Sequence, residues 1–271
     1  MIVQRLQDGA ALALTLAEHQ GLAAQLAAQF GNDDFDALAP REPMRFAIAH
    51  HDQGWEPIDR SPPGDPATSL PCSLGATPRE SLLAAAVRSV DFNERHHPFC
   101  GLLVSMHQCG LYNGRYGLQS ALPPAPVAPH EQAQVDAFLR AEAERQTRLR
   151  AQLDTDTAYR GMLADFALFS NYLRLQFFDR LALYLNLAGL AHLGPAVMER
   201  VPARGLGEAD VAITPLADGI ALDPYPFREE RFWVSYRGRA VRPQAGLADW
   251  SGALAVAEVR EHRFCIQRKK P

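Results

Sequence analysis

The sequence predicts a mainly α-helical protein: a helical bundle over residues 1–194 with a small β-rich C-terminal appendage over residues 195–271. Three observations lead there. Apolar residues recur at steps of three and four over 11–30 and again over 158–190, the period of a helix face. A run rich in Glu, Arg and Gln over 130–153 has the charge pattern of a solvated helix. Short β-like runs gather only after Gly194-Pro195.

In order along the chain, Leu12, Leu16, His19, Ala23, Leu26 and Phe30 share one face of the first helix, so His19 points inward with the leucines. By itself such a histidine reads first as a core group bonded to a backbone carbonyl; the motif downstream reverses that preference. Residues 31–42, from Gly31-Asn32-Asp33-Asp34, are a polar break. A second helix is expected over 43–55, with Pro43 in its first turn and Gly54 at its end. Met44, Ile48, His51 and Trp55 share its face with Asp52 beside them, while His50 points a quarter-turn away, as a packing or orienting group. Six prolines mark 57–78 as loop. Thr77-Pro78-Arg79-Glu80 opens a helix that runs to about residue 94, with Thr77 as its cap. Pro98 opens another over 98–112, carrying Leu102, Leu103, Met106 and His107.

Gly110 to Gly117 is a glycine-punctuated loop in which Arg115 is either an anion contact or a solvated arginine. The proline-rich stretch 118–130 is a stiff linker. The helix over 158–190 is apolar nearly all round and therefore central. One of its stripes is Tyr172, Gln176, Asp179, Leu183 and Asn186, which buries a carboxylate with Arg180 beside it. Asp179 is either a ligand or half of an ion pair that ties the bundle. Val211-Ala212-Ile213, Phe232 to Tyr236 and Phe264-Cys265-Ile266 are the β-like runs, and 247–259 is a short helix with Asp249 near its start.

Composition narrows the function classes. A net charge of −4 gives no basic field for nucleic acid. Four scattered cysteines form no CxxC pair, which fits a reducing, cytoplasmic setting and disfavours a thiolate zinc site. No leader and no stretch of about 18 uninterrupted apolar residues is seen, so no membrane span is expected. The expected partner is a small-molecule substrate, and a homodimer is allowed.

The segment Ala49-His50-His51-Asp52-Gln53-Gly54-Trp55 carries the chemistry. Two histidines and an aspartate follow the apolar Phe46-Ala47-Ile48, where uncompensated polar groups cost several kcal/mol. A divalent metal suits both imidazole and carboxylate. The inward candidates for its remaining ligands are His19, His96 or His97, His107 and Asp179. His97 and His107 lie about 15 Å apart along one helix, so they cannot both bind one ion from it.

The order H…HD…H…H…D on successive helices resembles the HD-domain superfamily, helical bundles with a mono- or binuclear metal centre. Together with Leu103 to Tyr112, Leu175 to Leu183 and Pro224-Tyr225-Pro226-Phe227, the Ala49–Trp55 segment also looks like an uncharacterised bacterial family within that superfamily. The resemblance implies an HD-domain-like bundle and a metal site of His19, His51, Asp52, His97, His107 and Asp179, holding one or two ions of Fe, Mn, Ni, Zn or Mg. Where many HD enzymes read HDxGK, this chain has Trp55 in place of the lysine. Arg115, Arg180 or a histidine would have to replace that cation.

Three functions follow as expectations. The first is a metal-dependent phosphohydrolase in which Asp52, His50 and Arg115 take catalytic parts, with His50 or His96 as general acid or orienter. The second is a di-iron oxygenase of the myo-inositol-oxygenase-like type, which uses the same ligand order. The third is a binding or regulatory protein with a degenerate site.

Overall fold

The computed structural model describes residues 1–6, 8–114, 127–189, 192–205 and 207–270. The chain opens with strands β1 (Ile2–Arg5) and β2 (Ala11–Leu14), followed by helices α1 (Leu16–Gln29), α2 (Arg41–His50) and the short α3 (Glu56–Arg60). A two-strand ribbon, β3 (Gly64–Asp65) and β4 (Leu70–Pro71), leads to α4 (Arg79–His96), α5 (Pro98–Asn113) and α6 (Gln132–Asp154). After α7 (Thr157–Arg160) comes the long α8 (Asp165–Ala188). The last part is β5 (Ala196–Pro202), β6 (Glu208–Leu216), β7 (Gly219–Asp223), β8 (Arg231–Val241), α9 (Ser251–Val256) and β9 (Val259–Arg268).

The β structure is not an appendage, and this corrects the mainly α reading. Seven strands form one curled half-barrel sheet in the order β1-β2-β8-β9-β7-β6-β5. The N-terminal hairpin lies inside it: β2 pairs antiparallel with β8, Leu12 opposite Ala240 and Ala13 opposite Arg239. All neighbours are antiparallel except β7 and β9. A division at residue 195 therefore cuts through a single sheet.

The hairpin escapes a helical reading for a physical reason. Ala11-Leu12-Ala13-Leu14 is buried on both faces, so it lacks the alternation of a half-exposed strand. Leu12 and Leu14 join the main core with α1 and α8, while Ala11 and Ala13 join a second cluster with Trp250 and Leu254 of the α9 region. The helix starts only at Leu16, capped by Thr15, whose Oγ1 accepts from the Glu18 N–H at 3.2 Å.

Other boundaries also shift. α2 stops at His50 rather than at 55, and Gln53–Trp55 forms a single 3-10 turn. The proline-rich 57–78 stretch holds the end of α3 and the β3–β4 ribbon. Pro78, not Thr77, precedes α4, and the Thr77 hydroxyl donates to the Ser73 carbonyl at 2.9 Å. Among the described residues no helix is long and apolar enough to cross a membrane.

Candidate metal centre

Four helices bring the site together. The Thr15 cap fixes the start of α1 and places His19 in its first turns, fully buried against α8. On α8, Asp179 and Asn186 are seven residues apart and so share a face. α5 supplies His107 and Gln108, both buried.

The end of α2 supplies His51 and Asp52, and α4 pins that turn. The Gly54 N–H donates to Ser89 Oγ at 2.9 Å, Arg88 Nε donates to the Gly54 carbonyl at 2.9 Å, and Asn93 Nδ2 donates to the His50 carbonyl at 2.8 Å. Gly54 is required there, because a Cβ would run into the Ala85 carbonyl and the Ser89 amide.

His19, His51 and Asp179 each offer one donor atom within 4.8 Å of the others, and so do His51, Asp52 and His107. His51 belongs to both groups, and its Nδ1 is committed: that N–H donates to the Ile48 carbonyl at 2.8 Å. A carbonyl can only accept, so in the neutral ring the Nε2 carries the lone pair. This Nε2 is buried without a hydrogen bond and faces Asp179 Oδ1 at 3.4 Å and Asp52 Oδ2 at 3.5 Å. His19 lies between Asn186 and Asp179, with the Asn186 amide at 2.9 Å from Nδ1 and Asp179 Oδ1 at 2.9 Å from Nε2. A neutral ring that donates to Asp179 through Nε2–H accepts at Nδ1, a bond the Asn186 amide can supply through its Nδ2.

Lone pairs facing carboxylate oxygens in a buried site call for a cation, either protons or a metal ion. Without metal the ring protonates: burial opposes charging His51, yet Asp52 and Asp179 together raise its pKa to about 9. Burial opposes charge on Asp179, yet the imidazoles of His19 and His51 beside it hold it well below the usual carboxylate range. His107, by contrast, is lowered to about 4 by burial. The donors thus form two overlapping groups that share His51 and together comprise three imidazoles and two carboxylates. That mixed set suits Fe, Mn, Zn or Ni better than Mg.

Amide side chains orient the carboxylate. Gln108 Nε2 donates to Asp52 Oδ1 at 3.1 Å and to the His51 carbonyl at 3.1 Å, while Gln20 Oε1 accepts from the Asp52 N–H at 3.1 Å. The Asp52 side chain is 14% exposed against 5% for Asp179, so Asp52 is the carboxylate nearer solvent. It lines a cleft of about 350 Å³ with Thr15, Gln20, Gln53, Glu56 and Asp59.

Not every candidate gathers there. His97 serves as the N-cap of α5: its Nδ1 accepts from the Phe99 N–H at 3.0 Å and its ring packs on Tyr159. It stands at the opposite end of α5 from His107, and the structure does not place it with the other ligands. His96 stacks on Phe46. His50 touches Gln53 Oε1 through Nδ1 at 3.2 Å and packs on Phe46, so it reaches the cleft only through Gln53. Arg115 lies outside the described residues. Trp55 is buried in the main core, and Arg180 is buried on α8.

Sequence reasoning missed Gln20, Gln108 and the carbonyl of Ile48. Asn186 was visible on the Asp179 stripe but had no role. Amides lack the pattern that marks a ligand; only their adjacency to His19 and His107 signals them.

A family model described as "Protein of unknown function (DUF3891)" matches residues 1–243. No curated protein and no solved structure matches the chain.

Proposed function

The chain belongs to the DUF3891 family, and we propose that it is a metal-dependent hydrolase acting on a phosphoester of a small molecule. One observation carries this reading: His51 turns its N–H to the Ile48 carbonyl and its lone pair, unbonded and buried, toward Asp52 and Asp179. His19, His51, Asp52, His107 and Asp179 would hold the ion. A divalent ion bound there lowers the pKa of a water and polarises a phosphoryl oxygen.

The chain's own groups supply the rest. Gln108 holds Asp52 Oδ1, which leaves Oδ2, 3.5 Å from His51 Nε2, as the carboxylate oxygen that would bind the ion. Hydrolysis breaks the ester P–O bond, adds the water oxygen to phosphorus and returns a proton to the departing alcohol. His50 holds Gln53 in the cleft wall and acts as a positioning residue. The oxygenase alternative needs two ions, of which His51, with its single uncommitted nitrogen, could bind only one.

The test begins with elemental analysis of untagged full-length protein. Stripped protein is then reloaded with Mn²⁺, Fe²⁺, Ni²⁺, Zn²⁺ or Mg²⁺ and assayed on p-nitrophenyl phosphate and bis-p-nitrophenyl phosphate. The expected result is about one ion per chain, with turnover lost in Asp52→Ala. A full complement of ion without turnover on either ester would overturn the reading. Two irons with substrate-dependent oxygen uptake would favour the oxygenase.

A further inference from the structure

The cleft beside Asp52 does not end at its far wall. Thr15 and Asp59 line it and also line a second cleft of about 350 Å³. Together the two volumes fall in the range of small-molecule sites, about 300–1,000 Å³.

The second cleft has different chemistry. Arg237 and Arg239 of β8 are two residues apart and so share a face of the sheet. Ala13 and Val259 both stand opposite Arg239 in register and line the same cleft. Gly238 faces the other way, where a Cβ would run into the Leu12 side chain. The small Ala13 leaves room above this floor, and Leu254 closes one side.

The charges in this cleft do not cancel. The Met1 amine and Asp59 offset each other, nitrogen to oxygen 3.1 Å. Glu18 accepts from the backbone N–H of Arg237 at 2.8 Å. Among the described residues the Arg237 guanidinium has no carboxylate partner, and Arg239 Nη1 reaches only the Ala257 carbonyl at 3.2 Å. Two guanidiniums thus stand against one carboxylate. In the first cleft, with Asp59 offset by the Met1 amine and Arg60 tied to Glu56 at 2.6 Å, the remaining charge is the Asp52 carboxylate.

We propose that the two clefts form one groove, and that its occupant is an elongated small molecule with a terminal anion, carboxylate or phosphate, held by Arg237 and Arg239. The fork of a guanidinium suits either anion, since each presents paired oxygens. The other end of the molecule lies at Asp52; that this end carries the bond to be cut rests on the hydrolase reading, whereas the anion subsite does not.

The experiment uses metal-free full-length protein, so that it is blind to metal loading and turnover. Glutarate and inorganic phosphate are titrated separately by calorimetry into wild type and Arg237→Ala/Arg239→Ala. Wild type is expected to bind at least one anion saturably. The double variant is expected to bind it about tenfold or more weakly, as for a lost charge-assisted pair. Preference between the two anions identifies the terminal group. An Arg237→Gln/Arg239→Gln pair gives the same loss with less change of shape, and thermal unfolding checks that each variant is folded. Equal binding by wild type and both double variants, or no saturable binding by wild type, overturns the proposal. Absence of metal or of hydrolysis leaves it standing, and loss of the subsite leaves the hydrolase reading standing.

Discussion

Replacing Asp179 by Asn keeps the shape of the side chain and removes its charge. The carboxylate stands 2.9 Å from His19 Nε2 and 3.4 Å from His51 Nε2, buried on α8. Loss of a group that merely orients a ligand costs about 10- to 100-fold in metal affinity. A group that supplies a donor atom should cost at least the upper figure, about 2.7 kcal/mol. Asp179→Asn should therefore leave purified protein largely metal-free and weaken affinity about 100-fold in competition with a chromogenic chelator. The same change removes one of the two groups that raise His51 to about 9, so an NMR titration of metal-free protein should find that ring titrating closer to 6.5. A folded variant with wild-type affinity and an unmoved His51 would refute the reasoning.

Two further outcomes follow. In metal-free protein the raised pKa of His51 contributes stability that is full below about 6.5 and lost as pH rises through about 9, whereas the lowered pKa of His107 contributes stability present above about 6.5 and lost as pH falls through about 4. Each shift corresponds to about 3 kcal/mol, so Tm measured in chelator should peak near pH 6.5; a Tm that climbs steadily to pH 9 would contradict the His51 environment. Gly54→Ala should destabilise by about 2–4 kcal/mol, read by chemical denaturation, because its methyl meets α4 backbone that cannot yield cheaply; an unchanged midpoint would show that α4 does not press on the turn.

Most helices were legible from an apolar stripe, the one over 130–153 from its charge pattern, and Pro98 marked the start of α5, whereas the cap assigned to Thr77 does not form. The hairpin was not legible. Asp8-Gly9 between Ile2–Leu6 and Ala10–Leu14 is a turn signal, and Thr15-Leu16-Ala17-Glu18 has the spacing of a capping box. Ala and Leu form helices well and are just as content in a strand buried on both faces, so periodicity alone carries the helix back to residue 11. The missing register of β2 against β8 then hid the sheet, since such pairing joins residues more than 200 positions apart.

At the site, the periodicity that turns His19 and Asp179 inward is a property of single helices and could be read locally. The role of His97 is also local, but a backbone N–H two residues on claims its ring, which no periodicity reveals. Asn186 and Gln108 matter through contacts spanning 167 and 56 residues, which a linear pattern does not contain.

The hairpin's place in the sheet sets an order of assembly. β2, which leads directly into the helix of His19, leans on β8, more than 200 residues further on, and β8 leans on β9. A nascent chain that has emerged only through α8 already carries every imidazole and carboxylate of the centre, but not the strand that steadies the first of them. A shortened chain ending near residue 194 would therefore carry the donors without the frame that aims them.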